Sequence, residues 1–161
     1  MHIEIRQNIP AYLADLKKWL TETQDVPLEA MGDFFTARVS TYEVHMARWD
    51  EAYQAMAKRI PENCGSLLDL GCGTGLELDD ILKRFPSLRV TGIDLCEPML
   101  AVLRQKHPSE LLTLRCEDYL EAELGTKAYD AAISFESLHH FQPAKKEGLF
   151  RKLHQALKPG G

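Results

Sequence analysis

No stretch of the sequence reaches the ~18 uninterrupted apolar residues that a membrane-spanning helix needs. The opening residues, MHIEIRQNIPAYLADLKKW, carry charges throughout and lack the apolar centre of a secretory signal. Positive charge is scarce: 19 Lys and Arg stand against 24 Asp and Glu, a formal net charge of −5. A chain of that sign has no electrostatic footprint for a phosphate backbone or an anionic bilayer, so neither nucleic acid nor membrane is an expected partner. Cysteine is sparse too. Cys64, Cys72, Cys96 and Cys116 form no C-x-x-C pair, so the expectation is reduced thiols in a cytoplasmic protein and no metal site. The sequence also lacks internal repeats and low-complexity tracts. What remains is ordinary: 161 residues, 45% hydrophobic and 27% charged. That composition suits one globular domain and excludes disorder, collagen-like structure and a disulfide-stapled miniprotein.

The chain changes character near residues 61–65. Residues 1–61 read as a helical cover. Ile9, Tyr12, Leu13, Leu16, Trp19 and Leu20 repeat at helical spacing after Pro10, and residues 25–32 read as a loop. Tyr42, Met46, Trp49, Tyr53, Met56 and Ile60 then alternate steps of four and three, which predicts one helix over 42–59. Residues 62–161 alternate in type. Strands are expected at 66–70, 88–95, 111–116 and 129–135, and helices at 76–85, 98–107 and 143–157, while 119–127 is too irregular to assign. Continuous apolar strands alternating with helices imply a parallel α/β sheet covered on both faces.

The run Leu67-Leu68-Asp69-Leu70-Gly71-Cys72-Gly73-Thr74-Gly75 joins the first strand to the first helix of this second part. Such a loop at the carboxyl end of a strand is where an open α/β sheet binds nucleotide-like ligands. A nicotinamide dinucleotide site would read G-x-G-x-x-G, but Leu76 occupies the last glycine position. A P-loop would end in Gly-Lys-Ser/Thr, but Gly75 is followed by Leu76 and Glu77. Glu77, Asp79 and Asp80 suit the helix dipole yet would repel a phosphate held there. A ligand without phosphate, preferably cationic, fits better. Asp94 closes the second strand and could accept hydrogen bonds from both hydroxyls of a ribose; alone it could cap the turn before Glu97-Pro98, but beside the glycine loop the ribose reading dominates.

The ordered set LLDLGCGTG, GID, CEDYLEAEL, YDAAISFESLHHF and LKPGG resembles the class I S-adenosylmethionine-dependent methyltransferases over residues 66–161. The segment DFFTARVSTYEVHMARW is similar to the helical cover of small-molecule members. The resemblance implies a Rossmann-like fold and S-adenosyl-L-methionine as cofactor. By that resemblance Asp69 and the loop Gly71, Cys72, Gly73, Thr74 and Gly75 face the methionine moiety, and Asp94, with Leu95 beside it, meets the ribose. Asp118 and Tyr119 meet the adenine, and Ser134 and Phe135 lie where the methionine ammonium is held. Tyr42 and Arg38 close over the cofactor, although packing for Tyr42 and solvation for Arg38 explain them as well.

Methyl transfer from a sulfonium needs alignment and exclusion of water more than activation. A general base is required only for a protonated nucleophile; Glu136, His139 and His140 stand where it would be. The expected function is methyl transfer to a small molecule. The alternatives are a non-catalytic S-adenosylmethionine-binding regulatory module and an NAD-dependent oxidoreductase, the latter opposed by the loop spacing. Members of the resembling family have seven strands, and this chain supplies four. A fourth strand without Lys or Pro on its edge predicts self-association through that edge or a truncated chain.

Overall fold

The structure, a computed structural model, describes residues 31–161 together with Pro10, Ala11, Leu13, Ala14, Lys17 and Lys18, which are helical. The chain divides into two compact units, Met1–Ala30 and Met31–Gly161. The other stripe positions expected in the first helix (Ile9, Tyr12, Leu16, Trp19 and Leu20) and loop residues 25–30 lie outside the described residues.

In the second unit, β1 (Ser66–Leu70), β2 (Arg89–Asp94), β3 (Leu112–Cys116) and β4 (Ala131–Ile133) form a parallel sheet in the order β3-β2-β1-β4. The helices are α1 (Met31–Thr36), α2 (Val39–Met46), α3 (Asp50–Arg59), α4 (Leu76–Arg84), α5 (Glu97–Lys106) and α6 (Pro143–Ala156). β1 is buried along its whole length, as expected of a parallel strand covered on both faces. Its side chains alternate between two cores. Leu67 joins Ala57 of α3, Leu78 and Ile81 of α4, and Leu100 and Leu103 of α5. Leu68 and Leu70 join Tyr119, Leu124, and Leu149 and Ala156 of α6. Each leucine fully buried this way contributes roughly 1.5–3 kcal/mol. The same alternation sends Asp69, two residues after Leu67, to the α4 side of the sheet.

Helix ends follow local chemistry. α4 carries Glu77 and Asp79 in its first turn and Lys83 and Arg84 in its last, matching its dipole. α5 and α6 each begin with a proline in the first two positions.

Three expectations change. Met31 and Gly32 belong to α1 rather than to a loop. The single helix expected over 42–59 is two helices, because Ala47–Trp49 tightens into a 3-10 turn between α2 and α3. A 3-10 turn has three residues per turn instead of 3.6, so the apolar stripe crosses a change of axis. The strand expected over 129–135 pairs with β1 only at Ala131–Ile133. Beyond it, Ser134 Oγ donates to Leu70 O (2.9 Å), and Glu136 takes a left-handed backbone at φ +48° that ends the extended run. Before it, Tyr129 bridges to Leu157, and Lys158 N donates to Tyr129 O (2.9 Å). The Asp130 carboxylate fastens this corner. It accepts from Gly65 N (3.0 Å), Ser66 Oγ (2.7 Å) and Lys158 Nζ (2.8 Å). The unassigned stretch 119–127 is turns whose apolar residues, Tyr119, Ala122 and Leu124, reach the second core.

Candidate functional site

The loop between β1 and α4 turns sharply because Gly71 and Gly73 adopt φ of +77° and +48°, a region costly for residues with a Cβ. Gly71 also needs its missing side chain, since a Cβ there would run into Ser137. A Cβ on Gly73 would lie 3.5 Å from the Tyr42 hydroxyl, which arrives from α2. Gly71 N donates to Ile93 O (2.8 Å), anchoring the loop to β2.

Asp94 fixes the loop from the side. Its Oδ2 accepts from Gly73 N (2.9 Å) and its Oδ1 from Cys96 N (2.8 Å). Burial raises its pKa, and these backbone donors oppose the rise. Backbone groups of Cys96, Gly73 and Leu95 thus use part, but not all, of the roughly four acceptor positions of the carboxylate, which leaves capacity for a ligand hydroxyl.

Beneath the loop lie two carboxyl groups in contact. Asp69 is completely buried, and neither of its oxygens meets a donor. Glu77, buried in the first turn of α4, is within hydrogen-bonding reach of it. Two carboxylates cannot bond to each other unless one carries a proton. Burial and the neighbouring Glu77 charge push Asp69 well above the usual carboxylate range; burial pushes Glu77 up to about 7. Thr74 Oγ1, also buried, has no partner. Lys106 reaches the loop at Thr74 O (3.2 Å), but its ammonium is engaged by Asp79 (3.1 Å) and Glu43 (2.9 Å). The floor of the site is therefore acidic. Burial, and next the Glu77 charge, raise the Tyr42 and Tyr53 hydroxyls above their ordinary value, so both remain protonated.

Above the loop is a cavity of about 60 Å³. Of the residues expected from sequence, Tyr42, Gly71, Gly73, Asp94, Leu95, Tyr119, Phe135 and Glu136 line it, joined by Met31, Phe35, Met99, Ser137 and Phe141. The Tyr119 and Ser137 hydroxyls share a hydrogen bond of 2.7 Å. Phe135 is held by Tyr53 and Trp49, with ring centroids 4.8 and 5.9 Å away. A wider cleft of about 750 Å³ shares Phe35, Tyr42 and Glu136 with this cavity. Arg38, His45, Arg48 and His139 also stand on its wall.

The remaining expected residues sit elsewhere. Asp69, Cys72, Thr74 and Gly75 are buried and do not line the cavity. The Asp118 carboxylate accepts from Leu120 N (2.8 Å) in a local turn, and the Ser134 hydroxyl is taken by Leu70 O. The side chain of His140 lies outside the described residues. Sequence reasoning missed the pairing of Glu77 with Asp69. The only signal was an acid two residues past the last loop glycine, on the helix face that also carries Leu78 and Ile81.

A family described as methyltransferase domain matches residues 67–161. A malonyl-[acyl-carrier protein] O-methyltransferase of Acetivibrio thermocellus is 32% identical over 133 residues, covering 74% of this chain and 46% of that protein. Among solved structures, an S-adenosylmethionine dependent methyltransferase from Mesorhizobium loti is 35% identical, with a TM-score of 0.57, over 69% of this chain and 48% of that one. A phosphoethanolamine N-methyltransferase 2 of Haemonchus contortus, in complex with phosphomonomethylethanolamine and S-adenosylhomocysteine, is 26% identical. Its TM-score is 0.66, over 83% of this chain and 34% of that one. The chain thus spans less than half the length of each of these proteins.

Proposed function

The chain belongs to the methyltransferase domain family, and on that premise we propose that it holds S-adenosylmethionine over the glycine loop and serves methyl transfer to a small-molecule acceptor. The observation that carries this reading is the acidic floor. Asp69 is buried without a donor and lies against Glu77. A phosphate-bearing dinucleotide would meet like charge there, whereas a ligand with a sulfonium, an ammonium and no phosphate relieves it. The residues present fit that cofactor. Asp94 has acceptor capacity for ribose, Tyr119 and Met99 offer apolar wall, and Asp69 with Glu77 offers negative charge to a cation.

When bound, S-adenosylmethionine supplies a methyl group already activated by a positively charged sulfur. The chain's own residues then orient and exclude water. Gly71 and Gly73 let the backbone approach closely, and Tyr42 and Phe35 shield the site from α1 and α2. Glu136 lines both the cavity and the wider cleft. That position supports Glu136 as the group that takes a proton from an acceptor that starts protonated, with His139 on the same cleft as second candidate. The cleft wall carries Arg38, His45 and Arg48, which favours an acceptor bearing negative charge.

Titration calorimetry with S-adenosylhomocysteine and, separately, NAD tests the reading. Saturable heat with the first and none with the second is expected. Binding of NAD alone would overturn it.

A further inference from the structure

Resting on the cofactor reading above, we propose that the wide cleft seats the methyl acceptor and takes an organic monocarboxylate with an apolar body the size of a ring. Arg48 clamps its carboxylate, and Phe34, Phe35 and Val44 carry its body.

The wall of this cleft runs against the rest of the chain. Acids outnumber Lys and Arg by 24 to 19 in the sequence, yet among the described residues two arginines and one carboxylate, Glu136, face this space. Helical spacing builds the bias. Thr41, His45 and Arg48 each stand one position before Tyr42, Met46 and Trp49, so a polar row runs beside the apolar stripe. Glu43, the acid of the same helix, is bonded to Lys106 instead (2.9 Å).

Arg48 is held without being neutralised. The 3-10 turn at Ala47–Trp49 brings side chains three residues apart into line, and Arg48 Nη2 lies 3.1 Å from His45 Nε2. A guanidinium only donates, so the ring nitrogen accepts and His45 carries no charge in this pairing. Among the described residues Arg48 meets no carboxylate; its contacts are His45 and the Trp49 ring. Its planar fork matches the two oxygens of a carboxylate. With the histidines neutral, two guanidiniums and one carboxylate leave the wall a single formal positive charge. A monoanion balances that charge, whereas a phosphate, at about −1.5 to −2, exceeds it.

The apolar part of the wall describes the body. Phe34 and Val44 are 38% and 84% exposed, and both line the cleft. Phe34, Phe35 and Tyr42 stand edge to face, with centroids 5.2 and 6.0 Å apart, and Phe35 and Tyr42 also line the cofactor cavity. A ring laid along this row leads from the cleft to the cavity. Arg48 lines the cleft and not the cavity, so the anchored carboxylate is not the group that receives the methyl. The cleft, at about 750 Å³, is of small-molecule size.

The test is calorimetric titration of the whole chain, first saturated with S-adenosylhomocysteine. The probes are benzoate, para-hydroxybenzoate and cyclohexanecarboxylate, each beside its neutral amide, and phenyl phosphate. At least one carboxylate should bind, about tenfold or more tighter than its amide and than phenyl phosphate. Arg48→Met keeps the apolar stem and removes the fork; it should erase that preference while leaving S-adenosylhomocysteine binding intact. Arg48→Lys restores the charge without the paired bonds and should recover only part of it. A preference that survives Arg48→Met would assign Arg48 to solvent and overturn the clamp. Amides binding as tightly as acids, or phenyl phosphate binding more tightly than benzoate, would overturn the monocarboxylate class. Failure of every probe on protein that has bound S-adenosylhomocysteine overturns the acceptor class and leaves the cofactor reading in place. No binding of S-adenosylhomocysteine overturns the cofactor reading itself. These last outcomes come from the wild-type protein, so they stand even where a variant does not fold.

Discussion

Asp94 holds the loop and offers itself to a ligand with the same carboxylate, since Gly73 N and Cys96 N occupy only part of it. Asp94→Ala should therefore act twice. Cofactor affinity should drop by about 2 kcal/mol, roughly thirtyfold, from lost charge-assisted bonds, and the melting temperature should fall because the loop loses its anchor. Calorimetry and a thermal melt of the same protein read both; unchanged affinity would remove Asp94 from the ribose site. Glu77 carries a second prediction, for the ligand-free protein. Its pKa in the fold, about 7, lies above the ordinary 4.5. For an acid raised in this way, the stabilising contribution is complete below about 4.5 and is lost as pH rises through 7. Glu77→Gln should thus melt above wild type at pH 8 and converge with it near pH 5. Melts at the two pH values check this, and a constant difference would refute it. These residues also mark how far the sequence could be read. The glycines and Asp94 were legible because their spacing is tied to a strand end. Glu77 was legible only as a dipole partner, since an acid in a first helical turn is expected whether or not it faces another carboxyl.

The strands and helices were legible where one force dominates. β1, β2 and β3 are buried parallel strands, and buried strands are written as apolar runs. Proline or glycine closes the helices α4, α5 and α6 off from their neighbours. The 3-10 turn at Ala47–Trp49 escaped because an apolar stripe reports which residues face inward, not how the axis runs between them. β4 came out shorter than its apolar pattern because side chains intervene at both ends, Ser134 on Leu70 O and Asp130 on Gly65, Ser66 and Lys158. The bond from Lys158, with those from Ser66 and Gly65, holds the Asp130 carboxyl well below the usual range. A depressed carboxylate stabilises above its unfolded pKa, and that stability is lost as pH falls through the folded value. Asp130→Asn should therefore destabilise the neutral protein and differ less from wild type in strong acid, which denaturant titration at the two pH values would show. Within the first core, Leu103→Ala should cost about 2–5 kcal/mol, measured as a lower denaturation midpoint at unchanged slope; a loss under ~1 kcal/mol would mean that the site collapses to fill the space.

At the scale of the whole molecule, charge is distributed unevenly. The net charge is −5, yet the wide cleft carries Arg38, His45, Arg48 and His139 on its wall while the loop floor is acidic. On the proposed function, the acidic floor would face the cationic cofactor and the cleft an anionic acceptor. A ligand that binds only the folded state should stabilise it, by about 2.7 kcal/mol at a concentration one hundred times Kd, and S-adenosylhomocysteine should raise the melting temperature accordingly. The size of the cavity adds a constraint on time. A space of about 60 Å³ walled by Met31, Phe35 and Tyr42 is far below the ~300 Å³ at which small-molecule pockets begin. A nucleoside exceeds that space, so the expected outcome is that α1 and α2 move on binding and that encounter and capture are separate events. The observed association rate should then climb with ligand concentration and level off at the rate of opening, instead of rising without limit. Trp49, stacked edge-on against Phe135, is the natural reporter for stopped-flow fluorescence in a Trp19→Phe background. Substituting Tyr42 with alanine should lift the plateau, because the door then closes on less; a plateau that stays where it was would mean that opening is governed by another part of the wall.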